Sequence, residues 1–232
     1  MMGRWRRLVG MGGFSVVLFS LFVALGIWQI HRYHYKLRVA DTIRHARLAK
    51  PVPMPPNPTP FQKVSIVGRW MADRVAFYGD QIRNTPAGPV RGAQLIVPFR
   101  PTNGHIVMVD LGWVKGTVPY AVPVPVGETE VSGYVQRFNG VPFFHAADNP
   151  HAHVFYTLDP IKIGKALGLG GVADFTLVMI GPKPLAGGPI PARSLPQPPN
   201  NSQQYYLTWF GLAIVVIFEF IFYARKQLGD NE

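Results

Sequence analysis

The chain has 232 residues, a formal net charge of +11, 48% hydrophobic residues and no cysteine. The missing thiols exclude disulfides, thiolate metal sites and covalently attached c-type haem. The basic residues are scattered, with no helix-turn-helix, zinc-finger or RNA-binding motif, so nucleic acid is not an expected partner.

Residues 1–7 form a basic tail, and residues 8–30, LVGMGGFSVVLFSLFVALGIWQI, follow without a charge. As a helix this run extends about 34 Å, enough to cross a hydrocarbon layer of roughly 30 Å. MMGRWRR also suits the leader of a signal peptide, but the run exceeds the usual apolar region of about 7–15 residues and no A-x-A site follows. An uncleaved anchor is expected. Within it Ser20 and Ala24 form a small-xxx-small pair of the kind that lets helices approach.

The helix is predicted to continue through a basic extension, residues 31–50, until the prolines from Pro51 onward stop it. His31, Arg32, His34, Lys36 and Arg38 fall near the headgroups, suited to lipid phosphates or to an acidic partner surface. Residues 51–60, PVPMPPNPTP, read as a stiff, extended linker.

Residues 61–182 carry seven apolar runs rich in β-branched and aromatic residues, KVSIVGRWM, RVAFYG, QLIVPFR, HIVMVDLGWV, TEVSGYVQRF, HVFYTL and DFTLVMI, which predict strands. Asn103-Gly104 tolerates the positive φ of a tight hairpin turn. Asp159-Pro160 opens a short helix over IKIGKALGLG, the carboxylate accepting from its first amides. A second proline-rich linker, residues 183–204, leads to a second span, residues 205–224, YYLTWFGLAIVVIFEFIFYA. Tyr205, Tyr206 and Trp209 make one aromatic belt and Tyr223 marks the other, with Glu219 the one charge inside.

The predicted fold class is an α+β membrane protein, two transmembrane helices flanking a mainly antiparallel β-sheet domain with one or two short helices. Arg4, Arg6 and Arg7 before the first span agree with Arg225 and Lys226 in the tail, residues 225–232, that both termini are cytoplasmic. The segment between the spans holds 18 basic residues, but connections this long translocate largely regardless of charge. In a bacterium this places the domain in the periplasm, anchored in the inner membrane.

Five blocks now stand in order: LGIWQIHRYHYK, with Gly26, Trp28, Gln29, Arg32 and Lys36; VSIVGRW; DLGWV; EVSGYV with the later TLD; and YYLTWFGLA. Together with the two anchors they resemble the surfeit locus protein 1 family over nearly the whole chain. The resemblance implies a role in assembling haem-copper respiratory oxidases and, in some bacteria, binding haem a and passing it to the large subunit. The family pattern Asn-Asn-His, with a Trp seven residues after the proposed haem-ligand His, falls here on Asn200, Asn201, Ser202 and Trp209. A serine hydroxyl is a poor iron ligand beside imidazole. The Arg usual before Gly-Trp is Leu111, which removes a potential anionic contact.

No resident cofactor is therefore expected. The first reading is an assembly factor or accessory subunit that binds oxidase subunits and membrane lipids, with a quinol oxidase as one option. The alternative is a haem-delivering chaperone in which His31 or His34 replaces the ligand. A third is an envelope scaffold held by anionic lipid. Trp28, Gln29, Arg32, Lys36, Trp209 and Glu219 are the expected partner or lipid contacts. His145, His151 and His153 with Asp148 have the spacing of a copper or zinc site, though a polar surface loop is the simpler reading. No catalytic triad, paired-carboxylate motif, phosphate loop or dinucleotide fingerprint appears outside the spans, so no enzyme is expected.

Overall fold

The structure, a computed structural model, describes residues 2–85, 88–117, 122–141, 143, 145–180, 188–192, 195 and 200–229. In chain order its elements are α1 (Met2–Leu48), β1 (Val52–Pro53), β2 (Lys63–Trp70), β3 (Ala76–Thr85), β4 (Gly88–Pro101), β5 (Ile106–Lys115), β6 (Glu128–Arg137), β7 (Val154–Phe155), α2 (Pro160–Ala166), β8 (Val172–Val178) and α3 (Ser202–Gly229). They fall into two compact units, Met1–Thr42 with Gln197–Glu232, and Ile43–Pro196.

In the second unit the sheet order is β1-β2-β6-β8-β5-β4-β3-β7, and β2 also pairs with the far end of β4. Strands β2, β6, β8, β5 and β4 therefore close on themselves. Side-chain alternation then sorts neighbouring residues into two layers. Leu95, Val97, Phe99, Val107, Val109, Leu111, Phe175 and Leu177 fill the interior. Ile96 and Met108, from the same strands, join Phe155, Leu158, Ile163 and Leu167 in an outer layer beneath α2. Each large side chain taken fully from water contributes roughly 1.5–3 kcal/mol. This double burial explains why every residue from Ile106 to Val114 is buried, Asp110 included.

The predicted strands and the capped helix are all present: Asp159 Oδ1 accepts from the Ile161 and Lys162 amides at 3.0 and 3.1 Å, with Pro160 in the first turn. The connection between β4 and β5 spans 102–105, with Gly104 at the positive φ expected of it, +97. Antiparallel pairs dominate, but β5–β8, β1–β2 and β3–β7 are parallel.

The helix continues through the basic extension as expected, α1 running unbroken to Leu48, and the boundary between units falls after Thr42, with Ile43 fully buried. Two segments differ from their predicted roles. The linker 51–60 is partly sheet: Val52 and Pro53 pair with Val64 and Ser65, and the Pro58 carbonyl accepts from Arg137 at 2.9 Å. In the second linker, Ile190 exchanges two 2.8 Å backbone hydrogen bonds with Trp113, Leu195 is 2% exposed, and α3 begins at Ser202 rather than 205. Proline removes a donor but leaves its neighbours free to pair along a sheet edge.

Candidate functional site

The first unit is a pair of long helices whose facing side chains recur every three and four residues. On α1 these are Gly12, Ser15, Phe22, Gly26, Gln29 and Tyr33; on α3 they are Ser202, Tyr206, Trp209, Ala213, Val216 and Phe220, all buried or half-buried. A 3.5-residue repeat is the seam of helices crossing at a shallow left-handed angle. Ring contacts fix an antiparallel register: a side chain on Gly12 would touch Phe220, Phe22 stacks on Trp209 at 5.8 Å, and Tyr33 meets Tyr206 edge-on at 6.1 Å. At Gly26 an added Cβ would lie 2.7 Å from the Phe210 ring, so glycine sets the closest approach. Ser20 and Ala24 are exposed; the small residues on the seam are Gly12, Ser15, Gly26 and Ala213.

The end of the seam nearer the globular domain in sequence is polar. Gln29 is 7% exposed and Ser202 2%. Gln29 Oε1, Asn200 Oδ1 and Trp209 Nε1 are buried without a hydrogen bond inside the protein. Gln29 and Trp209, expected as contacts for a partner, are thus turned into the hairpin. Trp28 is 52% exposed, with the Arg32 guanidinium 5.3 Å from its ring centre, and Glu219 is exposed on α3. Lys36 is half-buried, and His31 and His34 are exposed, with His34 edge-on to Tyr33. Only 6% of either apolar stretch is covered by the rest of the protein.

In the second unit the DLGWV block builds a buried polar corner that sequence reasoning missed. Asp110 is 8% exposed, and its Oδ1 accepts from the Gly112 amide at 2.8 Å. Desolvation pushes its pKa up to about 6, against the partial offset of that amide and of Arg83. Arg83 lies over Trp113 at 5.3 Å, and Trp113 Nε1 donates to the Gln81 carbonyl. The one sequence signal was an Asp two residues before Gly, a spacing at which a carboxylate caps its own backbone. Leu111 packs in the apolar interior, so the side chain at this position points into the core and not toward a ligand surface.

A folded carboxyl titrating at about 6, above the ordinary value of about 3.9, binds its proton more tightly than the unfolded chain does. Its contribution to stability is best at low pH and falls as pH rises from about 4 to about 6. Asp110→Asn is expected to raise Tm by about 5 °C near pH 7.5, the gap closing near pH 4. Tryptophan-fluorescence unfolding of the two proteins across pH checks this; a gap that does not vary with pH would contradict it.

The histidine-rich loop is organised by Asp148, whose side chain is 2% exposed and accepts from Thr157 and Lys162. His145 and His151 are exposed and His153 sits in the turn at φ +54. Among the described residues no three His, Asp or Glu side chains converge as a metal site.

Two apolar antiparallel helices bracketing a small closed β domain define a two-span membrane protein. The SURF1 family profile matches residues 16–214. The chain is 24% identical to a SURF1-like protein of Rickettsia conorii over 92% of its own length and 90% of the relative's. It is 24% identical to a SURF1-like protein of Monosiga brevicollis, covering 95% and 90% of the two chains. It is also 24% identical to surfeit locus protein 1 of Rattus norvegicus, covering 84% and 71%. The chain belongs to the SURF1 family.

The seam does not fit the haem that the resemblance implies for some members. Ser202 is buried against its neighbours without an imidazole, Phe210 closes on Gly26, and both nearby histidines face outward.

Proposed function

We propose that this chain serves a haem-copper terminal oxidase as an assembly factor or accessory subunit, a quinol oxidase being one candidate. It acts without chemistry of its own, by laying the helix hairpin against oxidase subunits in the membrane. The SURF1 match, spanning residues 16–214, carries this reading. The uncovered faces of both helices support it, since in lipid they are open to another helix. A lateral apolar groove of about 300 Å3, lined by Gly12, Ser15, Val16, Phe19, Val216, Ile217 and Phe220, offers such a face. The proposed setting is a bacterial inner membrane with cytoplasmic termini and a periplasmic domain.

Glu219 is the residue to test. A carboxylate at membrane depth is costly unless paired, and its exposure on α3 leaves it open to a donor from outside the chain. One interhelical hydrogen bond contributes about 1–2 kcal/mol, so Glu219→Leu is expected to cut co-purified oxidase by about tenfold, with Glu219→Gln intermediate. Quantitative mass spectrometry of the pull-down measures it. Wild-type recovery in both variants would remove Glu219 from the contact.

A further inference from the structure

We infer that the domain-side end of the first span is a binding site for the phosphodiester headgroup of an anionic phospholipid, organised by Arg32 on Trp28. If residues 8–30 cross the hydrocarbon, Arg32 stands about 3 Å beyond it and Arg38 about 12 Å, bracketing a headgroup layer roughly 5–8 Å deep. Trp28 is 52% exposed and Tyr35 61%, placing amphipathic rings at that boundary. The Arg32 guanidinium lies 5.3 Å from the Trp28 ring centre. This cation–π contact restrains the guanidinium beside the ring, and a planar guanidinium can donate two parallel hydrogen bonds to a phosphate.

The charge around this site has one sign. His31, Arg32, His34 and Arg38 are exposed within eight residues, and the chain contains no Asp or Glu before Asp41. No carboxylate within the first span or its immediate continuation competes for the guanidinium. An ordinary outward-facing helix end has no reason to concentrate basic side chains on the side of the membrane opposite its own basic tail. A phosphodiester meets both the charge and the planar fork, and its acyl chains lie along the uncovered face of the helix below Trp28.

The test uses full-length protein reconstituted in nanodiscs containing equal phosphatidylglycerol and phosphatidylcholine, followed by native mass spectrometry of the lipid that stays bound on release. Wild type is expected to retain phosphatidylglycerol over phosphatidylcholine by about fivefold or more, since each basic group at a membrane surface contributes about one such factor. Arg32→Gln is expected to lose about fivefold of that preference, and Arg32→Lys to recover part of it, because lysine restores charge without the fork. Arg32 is exposed, so helix content and Tm should not change, which separates the effect from misfolding. Equal retention of the two lipids, or a preference untouched by Arg32→Gln, overturns the site. So does loss of oxidase from the pull-down in Arg32→Gln with lipid retention intact, which would assign the basic belt to a protein surface.

Discussion

Gly112→Val is expected to lower Tm by about 10 °C or more, through about 3–5 kcal/mol of destabilisation. Two costs combine at this position. Gly112 has φ +116, a conformation that a β-branched residue adopts only under strain. An added Cβ would also lie 2.3 Å from the Ile190 carbonyl oxygen and 2.6 Å from the Ile190 carbonyl carbon and the Pro191 Cα. These are backbone atoms, so relief requires pulling the segment around Ile190 off β5 and breaking its paired 2.8 Å hydrogen bonds to Trp113. Asp110 would lose its Gly112 partner in the same movement. Thermal unfolding followed by tryptophan fluorescence measures the effect, with Gly112→Ala falling between. A Tm within about 2 °C of wild type for the valine variant would show that this edge pairing is not part of the folded core.

Asp148→Ala is expected to be of similar size, about 3–5 kcal/mol, because it strands four donors at once. The carboxylate accepts from the Tyr156 amide at 2.6 Å, the Thr157 amide at 3.2 Å, the Thr157 hydroxyl at 2.8 Å and the Lys162 ammonium at 2.5 Å. It thereby ties the loop before β7 to α2. Burial pushes its pKa up, but Lys162, the Tyr156 amide and the Thr157 hydroxyl outweigh that and hold it below the usual carboxylate range. A depressed folded pKa gives stability that is present above about pH 4 and lost as pH falls through the folded value. Wild type should therefore lose stability below about pH 4 by a component absent from Asp148→Ala, and Asp148→Asn should retain part of the wild-type Tm at neutral pH. An alanine variant as stable as wild type would return this loop to an ordinary surface role.

Periodicity made much of the molecule legible. The uncharged 8–30 run, the alternating strands and the Asp159-Pro160 cap each depend on neighbours close in sequence, and each lies where local chemistry puts it. Closure of the strands was not legible, because it rests on β2 pairing with the distant end of β4, a contact between Gly68 and Pro101 that no local pattern encodes. The proline-rich stretches misled for a related reason: absent donors suggest a linker, yet Val52 and Ile190 each pair at a sheet edge supplied by residues elsewhere in the chain.

For the candidate site, the anchors were readable, while the direction each side chain faces was not: Tyr206 and Trp209, expected in an aromatic belt, pack on Tyr33 and Phe22 of α1. Trp28 and Gln29 are adjacent in sequence, and the helical turn of about 100° sends one outward and the other into the seam. The seam repeat was present in the sequence but masked by apolar residues on every face of both spans, which removes the polar contrast that usually marks a buried stripe. Asp110 and Asp148 were hidden for a third reason: their importance lies in burial, which depends on the packing of several strands rather than on a motif.

The most direct test of an oxidase-binding role is purification of the tagged full-length protein from its native membrane in a mild detergent, with stoichiometry by mass spectrometry and haem type by visible spectroscopy. A terminal oxidase recovered near one to one, with no haem beyond the oxidase's own, is the expected result. Protein recovered without an oxidase and carrying its own Soret band would contradict it, and would mean that residues outside the Ser202 position hold haem.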